Sequence, residues 1–147
     1  MAYCAYVFGL QHRYTYLLRT IPNISEELKR LDQAIDDNLI RYLVHNNYTV
    51  DESDRLWFSL PARLGGLGIN ILSEVSEIFY ENSRRMTDPL VKQIVHQHDE
   101  GFVHETNERP VKAEIKREKK IREEEKVIRV KHQLNPQKLK VYEATYN

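Results

Sequence analysis

The sequence predicts an all-α fold, an irregular helical bundle with a glycine-rich turn and a long charged helix towards its C-terminus. Apolar side chains recur every three to four residues through most of the chain, which is the period of an amphipathic helix. Gly65, Gly66 and Gly68 fall together with Pro61 in the ten-residue stretch 60–69. Because apolar residues separate these glycines, we expect a shaped turn that packs inward between two helical blocks.

The first predicted helix covers residues 3–20. Tyr6, Leu10 and Leu17 recur at helical spacing, and Gly9 weakens the segment. Ile21 precedes Pro22, and a residue before proline avoids the helical conformation. We therefore expect the helix to end at this dipeptide.

A second helix is predicted from an N-cap at Ser25 to about residue 45. One apolar stripe defines its buried side, formed by Leu28, Leu31, Ile35, Leu39, Tyr42 and Leu43. Asp32, Asp36 and Asp37 are expected on the solvent side, and residues 45–47 are expected to close the helix. A short helix between Asp51 and Leu60 follows, with Trp57 and Phe58 as its core anchors.

Two further helices are predicted after the glycine turn. The first is capped by Ser73 and ends near Met86, and the second restarts at Thr87-Asp-Pro89, where proline suits the first helical position. Residues 112–131 are rich in charge and predict a long exposed helix, only partly formed on its own, with a short strand at 128–131 as the alternative. Asn135-Pro136 predicts the start of a last short helix that contains Leu139 and Tyr142.

Charge is distributed unevenly along a chain of 147 residues whose net charge is zero. Residues 1–108 carry 10 basic and 16 acidic side chains, whereas residues 109–147 carry 12 basic and 6 acidic ones. We therefore divide the chain into a helical module, residues 1–108, and a basic, charged helical tail, residues 109–147, that is partly flexible. The tail is either an interaction segment for nucleic acid or an ordinary solvated helix.

The sequence lacks the patterns of common active sites and of membrane segments. The glycine turn matches neither a phosphate loop nor a dinucleotide fingerprint, and the group His96, His98, Asp99, Glu100 and His104 lacks the spacing of a zinc site. Cys4 is the only cysteine, and no apolar run reaches the roughly 18 residues of a membrane span. We expect no catalytic residue, metal, cofactor, small-molecule ligand or membrane partner, and an intracellular location, cytoplasmic or nuclear.

The first helix combines aromatic and basic side chains, namely Tyr3, Tyr6, Phe8, His12, Arg13, Tyr14, Tyr16 and Arg19. Aromatic rings interleaved with arginine can stack on bases and hold phosphates. The alternative is an aromatic stripe that faces the core, with the basic residues outside. Core burial is the more common use of aromatic side chains and is the favoured interpretation.

Three segments in fixed order resemble a known family. They are Ala5-Tyr-Val-Phe-Gly9, Tyr16-Leu-Leu-Arg-Thr-Ile-Pro22 and Leu60-Pro-Ala-Arg-Leu-Gly-Gly-Leu-Gly-Ile69. Together they resemble the region that follows the polymerase core in reverse transcriptases of non-LTR-like retrotransposons from animal genomes. Met86-Thr-Asp-Pro-Leu90 and the charged stretch 112–131 are similar to segments further along that region, so the resemblance spans nearly the whole chain.

The resemblance implies a thumb-like helical module without enzymatic activity, because none of the family's catalytic motifs falls within these positions. Its implied partners are the backbone of RNA or DNA and the polymerase core. The implied contacts are Arg13, Arg19 and Arg63, to which the tail adds Lys116, Arg117, Lys119 and Lys120. Arg63 can equally bind a neighbouring carboxylate. The alternatives are a helical protein-interaction module that uses the stripe 28–43, or a translated remnant without function.

Overall fold

Six helices and one 3₁₀ turn make up the computed structural model, which describes residues 1–44, 49–96 and 108–146. No β-strand occurs in these ranges, so the all-α prediction is confirmed. We number the helices α1 (residues 2–20), α2 (residues 25–43), α3 (Glu52–Phe58), α4 (Leu72–His96), α5 (Glu108–Gln133) and α6 (Pro136–Tyr146). α1 and α2 each include a π-helical segment, Tyr6–Leu10 and Asp36–Ile40 respectively, and the 3₁₀ turn is Ala62–Leu64.

A first hydrophobic core joins α1, α2 and α4. α4 packs along both of the other helices, and the glycine turn closes one end of the core with Ile69. The buried side chains are Tyr6, Leu18, Leu28, Ile35, Ile40, Ile69 and Leu72. The stripe that was predicted for the second helix thus belongs to this core from Leu28 to Leu39, whereas Tyr42 and Leu43 at its end are exposed.

A second core joins α3 to the C-terminal part of the chain. Leu56 and Leu60 pack against Val130, Leu134 and Tyr142, and all five side chains are buried. The division of the chain at residue 108 stays a prediction, but the structure shows that the two parts pack on each other through this core. α5 is helical throughout 108–133, so the alternative of a strand at 128–131 is wrong.

Several helix ends follow the local signals in the sequence. Ile21 is extended, with φ −110° and ψ 119°, as expected before proline. Asp51 caps α3 by accepting the Asp54 N–H at 2.8 Å, and the Asp54 carboxylate accepts the Asp51 N–H in return. Asn135 caps α6 by accepting the N–H of Lys138 at 2.8 Å.

Two predicted N-caps, Ser25 and Ser73, are wrong, because each serine makes or meets a contact with a residue from another helix. Ser25 is the first residue of α2 rather than its cap, and its hydroxyl donates to the Ser73 carbonyl at 2.9 Å. Ser73 lies inside α4 and does not cap it; the cap comes from Asp32, whose carboxylate accepts the N–H groups of Leu72 and Ser73. Asp32 is therefore buried between two helices and does not lie on the solvent side, where it was expected.

The predicted helix break at Pro89 is also wrong. α4 continues through this residue as one helix of 25 residues. Its first half is anchored on α1 and α2, and the Arg85 side chain, one turn before the proline, is tied to α5. Tertiary contacts therefore outweigh the local start signal. The helix closure predicted at residues 45–47 and the group at residues 98–104 lie outside the described residues.

Candidate nucleic-acid interface

The glycine turn is a compact, hydrogen-bonded corner between α3 and α4. Gly65 and Gly68 have positive φ angles of 76° and 70°, which favour glycine. A Cβ atom on Gly66 would lie 2.1 Å from the Leu60 carbonyl oxygen, so this position tolerates no side chain. Trp57 braces the corner by donating its indole N–H to the Gly65 carbonyl at 2.8 Å.

The backbone N–H groups of this corner are used within the protein. Each N–H from residue 64 to residue 69 donates to a carbonyl between residues 58 and 62, at distances of 2.8–3.2 Å. The Asn70 N–H donates to the side-chain oxygen of Gln11 on α1. A phosphate-binding loop needs several free N–H groups that converge on one point. The turn therefore shapes the backbone and offers no amide cradle for a phosphate.

A buried arginine fixes the exit of the turn. Arg55 donates to the carbonyls of Ile69 and Asn70 at 2.7 and 3.1 Å, and its Nε lies 2.6 Å from Asp36 Oδ1. Burial raises the pKa of Asp36, and the charge of Arg55 opposes this shift. Asp36 was expected on a solvated face; the structure instead places it, half-buried, in an ion pair that joins α2 to α3.

The Asp36–Arg55 pair lies at a cleft of about 690 Å³ that is also lined by Asp51, Glu74 and Arg129. Three of its five carboxylates are paired with cations, namely Asp36, Asp51 and Glu74. Asp51 accepts a hydrogen bond from Lys138, and Glu74 lies 3.6 Å from the ammonium group of Lys126. We find no group of carboxylate, histidine and cysteine ligands for a metal ion within the described residues. The cleft is therefore lined by ion pairs within the protein, of which Asp51 and Glu74 are partly exposed members.

Glu114 and Glu118, the two acidic side chains of residues 109–120, face α4. Arg85 of α4 binds Glu118 through two contacts, at 2.9 and 3.0 Å, and lies 2.8 Å from Glu114. This pairing lowers the pKa of Glu118 and raises that of Arg85, chiefly through the hydrogen bonds. Both carboxylates are thereby paired with a cation on the side of α5 that faces α4.

The basic side chains of the same segment form a different face. Residues 109–120 contain six basic and only two acidic side chains. Five of the basic residues follow each other at spacings of one, three or four residues and share one side of α5, namely Arg109, Lys112, Lys116, Lys119 and Lys120. All five are exposed, and we call this set the basic face. Arg117 is exposed as well, but it lies about 100° further round the helix than Lys116.

Arg63 extends the basic face across to the glycine turn. Its guanidinium binds the carboxylate of Glu123 on α5, and Lys119 lies 4.0 Å from the same carboxylate. The Glu123 side chain is only 13% exposed, whereas that of Arg63 is 62% exposed. Of the two roles weighed for Arg63, the structure thus shows the pairing with a carboxylate. Enough of the cation remains accessible for a second anion.

Arg13 and Arg19, the remaining candidate contacts, belong to another element. Both are exposed on α1, which packs against α4 with its opposite side. The aromatic residues of α1 divide between two sides: Tyr6 is buried in the first core, whereas Phe8 and Tyr16 are exposed. Neither interpretation of this helix included the division, although helical spacing accounts for it, because Tyr6 and Phe8 are two residues apart and point to nearly opposite sides.

Sequence reasoning missed three residues of this surface. Arg109 and Lys112 continue the basic face, and their spacings of seven and four residues from Lys116 would have revealed them. Glu123, which binds Arg63, could not be found in this way, because 60 positions separate the two residues and no local pattern connects them.

Comparison with protein-family models, with curated proteins and with solved structures gives no match for this chain. The relationship to reverse transcriptases therefore stays a prediction from the three sequence segments. Among the described residues, no helix has both the length and the apolar character that crossing a membrane requires.

Proposed function

We propose that this chain is a non-catalytic helical module that binds the sugar–phosphate backbone of nucleic acid weakly and without sequence preference. One observation supports the proposal above all: within residues 109–120, α5 directs Glu114 and Glu118 to Arg85 and leaves its cations on an exposed face. Cations arranged in this way bind a row of phosphates and displace counterions. Lys and Arg side chains contact phosphates without reading bases.

The resemblance to the post-catalytic region of reverse transcriptases agrees with this proposal. In such a setting the module would lie along a template–product duplex inside a cell, and the polymerase core would be a second partner. Arg63 is proposed to connect the glycine turn with the basic face, because its guanidinium group binds Glu123 on α5. Arg13 and Arg19 on α1 are proposed as further phosphate or core contacts.

A salt titration with a labelled RNA–DNA hybrid tests the proposal by fluorescence anisotropy. If the basic face neutralises about four phosphates, affinity should fall roughly a hundredfold between about 50 and 200 mM salt. A triple variant, Lys116→Gln, Lys119→Gln and Lys120→Gln, should weaken binding and reduce the salt slope by about one for each lysine removed.

The matched control removes three exposed cations elsewhere, through Lys29→Gln, Arg30→Gln and Lys92→Gln. The control changes the net charge by the same amount and involves only exposed ion pairs. It should leave the salt slope unchanged. Absence of binding at the lowest salt concentration, or equal weakening in both triple variants, would overturn the proposal.

A protein-interaction module is the second candidate, and the second half of α4 supports it. Five apolar side chains with exposed fractions between 36% and 68% line this part of the helix, namely Met86, Leu90, Val91, Ile94 and Val95. The stripe 28–43 does not support it, because most of its apolar residues are in or against the first core. Light scattering over a range of concentrations should show self-association that Ile94→Asp abolishes; a monomer at every concentration argues against this candidate.

A further inference from the structure

The outer side of α1 bears a row of planar side chains. Phe8, His12, Tyr16 and Arg19 follow each other at intervals of four, four and three residues, which places them along one side of the helix. All four are exposed, and the exposed fractions of Phe8 and Tyr16 reach 72% and 71%. We call these four residues the planar row.

The planar row does not contribute to the core. α1 packs inward through Tyr6 and Leu18, and Tyr3 and Tyr14 pack partly against the same core. The ring pairs found in the described part of the chain involve Trp57 with Phe58 and Tyr142, and neither Phe8 nor Tyr16. The two exposed rings therefore have open faces that a ligand can cover.

The electrostatics of α1 favour an anion. Residues 2–20 contain no aspartate or glutamate, whereas Arg13 and Arg19 are both exposed. Arg13 lies next to His12 and three positions before Tyr16, so a guanidinium group borders the planar row near its middle. A ligand that offers flat rings together with negative charges would complement both features.

We propose that the planar row of α1 binds single-stranded nucleic acid, with bases stacked on Phe8 and Tyr16 and phosphates held by Arg13 and Arg19. Phe8 and Tyr16 lie about 12 Å apart along the helix axis, so each ring stacks on a different base. His12 and Arg19 offer further planar groups on which bases stack. This inference rests on the proposed nucleic-acid function and names its ligand: a single strand has unpaired bases, whereas a duplex keeps its bases inside.

The arrangement suits nucleic acid better than a lipid surface. Leu10 and Leu17 are also partly exposed, at 45% and 42%. A helix that lies in a membrane surface presents a continuous apolar strip. On α1 the exposed side is interrupted along its length by Gly9, Arg13 and Thr20. Contact with anionic lipid is therefore the alternative that the experiment must separate.

The test compares labelled oligothymidylate with a duplex of equal length, using the double variant Phe8→Ala, Tyr16→Ala. We expect affinity for the single strand to fall at least about tenfold, because stacking on two rings is lost, while duplex binding changes little. Tyr42→Ala is the matched control, since this tyrosine is 72% exposed on α2 and should be neutral. Thermal melts verify that each variant is folded.

Two further double variants distinguish stacking of bases on the rings from simple apolar contact. Phe8→Leu with Tyr16→Leu keeps apolar volume but removes the rings, and it should lose as much affinity as the alanine variant. Phe8→Tyr with Tyr16→Phe keeps the rings and should retain binding. If leucine preserves binding, or if phosphatidylserine vesicles sediment the chain through these residues, the inference is overturned in favour of apolar or lipid contact.

The two proposals fail in distinguishable ways. If the duplex binds through α5 but single-strand affinity does not respond to loss of the rings, the planar row is wrong and the proposed function stands. If neither the single strand nor the duplex binds at about 50 mM salt, both proposals are wrong.

Discussion

The carboxylate of Asp32 accepts the backbone N–H of Leu72 at 2.8 Å, so that a residue in the middle of α2 caps the beginning of α4. Its second oxygen accepts the Ser73 N–H at 2.9 Å. The first N–H groups of a helix have no partner within it, and a negative charge there is stabilising. One carboxylate thereby fixes both the start of α4 and its position against α2.

Asp32→Ala should lower the free energy of unfolding by about 2–3 kcal/mol, because two amide donors lose their acceptor and the helix loses its cap. Chemical denaturation at neutral pH measures this difference. Asp37→Ala, five positions along α2 and exposed, is the control and should stay within about 0.5 kcal/mol of the parent protein. Equal effects of the two substitutions would contradict the role given to Asp32.

Three glycine-to-alanine substitutions should change the free energy of unfolding by different amounts, two lowering it and one raising it. Gly66→Ala should destabilise by about 3 kcal/mol, because its Cβ would overlap the Leu60 carbonyl. Gly68→Ala should cost about 1 kcal/mol, since this residue has a φ of +70° in open space. Gly9→Ala, with no atom near its Cβ, should stabilise the protein by up to about 1 kcal/mol. Thermal melts rank the three, and a different order refutes this account of the turn.

The ion pairs of Lys138 should make the free energy of unfolding decrease at acid pH. Its ammonium group lies 2.8 Å from Asp51 and from the buried Asp54, and its hydrogen bond holds the pKa of Asp51 well below the usual range. A lowered aspartate pKa contributes stability above the unfolded pKa of about 4, and this contribution is lost as the pH falls through the folded pKa.

Lys138→Met should therefore destabilise by about 2 kcal/mol at pH 7, mainly because Asp54 loses its cation. The difference from the parent protein should shrink as the pH falls below about 4. Denaturation curves at several pH values measure it, with the exposed Lys140→Met as the control. A difference that is independent of pH would mean that methionine disturbs packing instead.

Replacement of Lys126 should stabilise the protein, in contrast to replacement of Lys138. Its side chain is 22% exposed, and burial lowers its pKa against the attraction of Glu74. Lys126→Met should stabilise by about 0.5–1 kcal/mol at pH 7, because a partly buried charge is removed. A lowered lysine pKa means that the parent protein gains stability as the pH rises, so the advantage of the variant should fade towards the ordinary lysine value of 10.5.

The control for this experiment is Lys29→Met, whose lysine is 60% exposed and should have little effect. Destabilisation by Lys126→Met of more than about 1 kcal/mol would show that the ion pair with Glu74 outweighs the cost of burial.

Helical periodicity and local end signals predicted most of the secondary structure. Pro22, Asp51 and Asn135 act through neighbours a few positions away, so their effects could be derived from the sequence. The errors at Ser73 and Pro89 arise where distant residues take over. Asp32 supplies the cap of α4, and contacts with α5 stabilise the helix beside the proline. Neither contact can be derived from the residues that neighbour Ser73 or Pro89 in the sequence.

The candidate interface was predictable to a similar extent. The basic character of Lys116, Lys119 and Lys120 follows from composition and their common side from helical spacing. The pairing of Arg85 with Glu118, which leaves those cations as the accessible charge, required the three-dimensional arrangement of α4 and α5. The exposure of Phe8, by contrast, follows from helical spacing, because Phe8 lies two residues from the buried Tyr6 and points to nearly the opposite side of α1.

The second core has a consequence for biosynthesis. A ribosome releases Leu56 and Leu60 long before it releases Val130 and Tyr142, with which they pack. The first core, by contrast, needs only residues up to α4 and can assemble early. During translation Leu56 and Leu60 of this region therefore remain exposed until α5 and α6 have been synthesised, even if the first core has already folded. We expect chaperones to bind this segment.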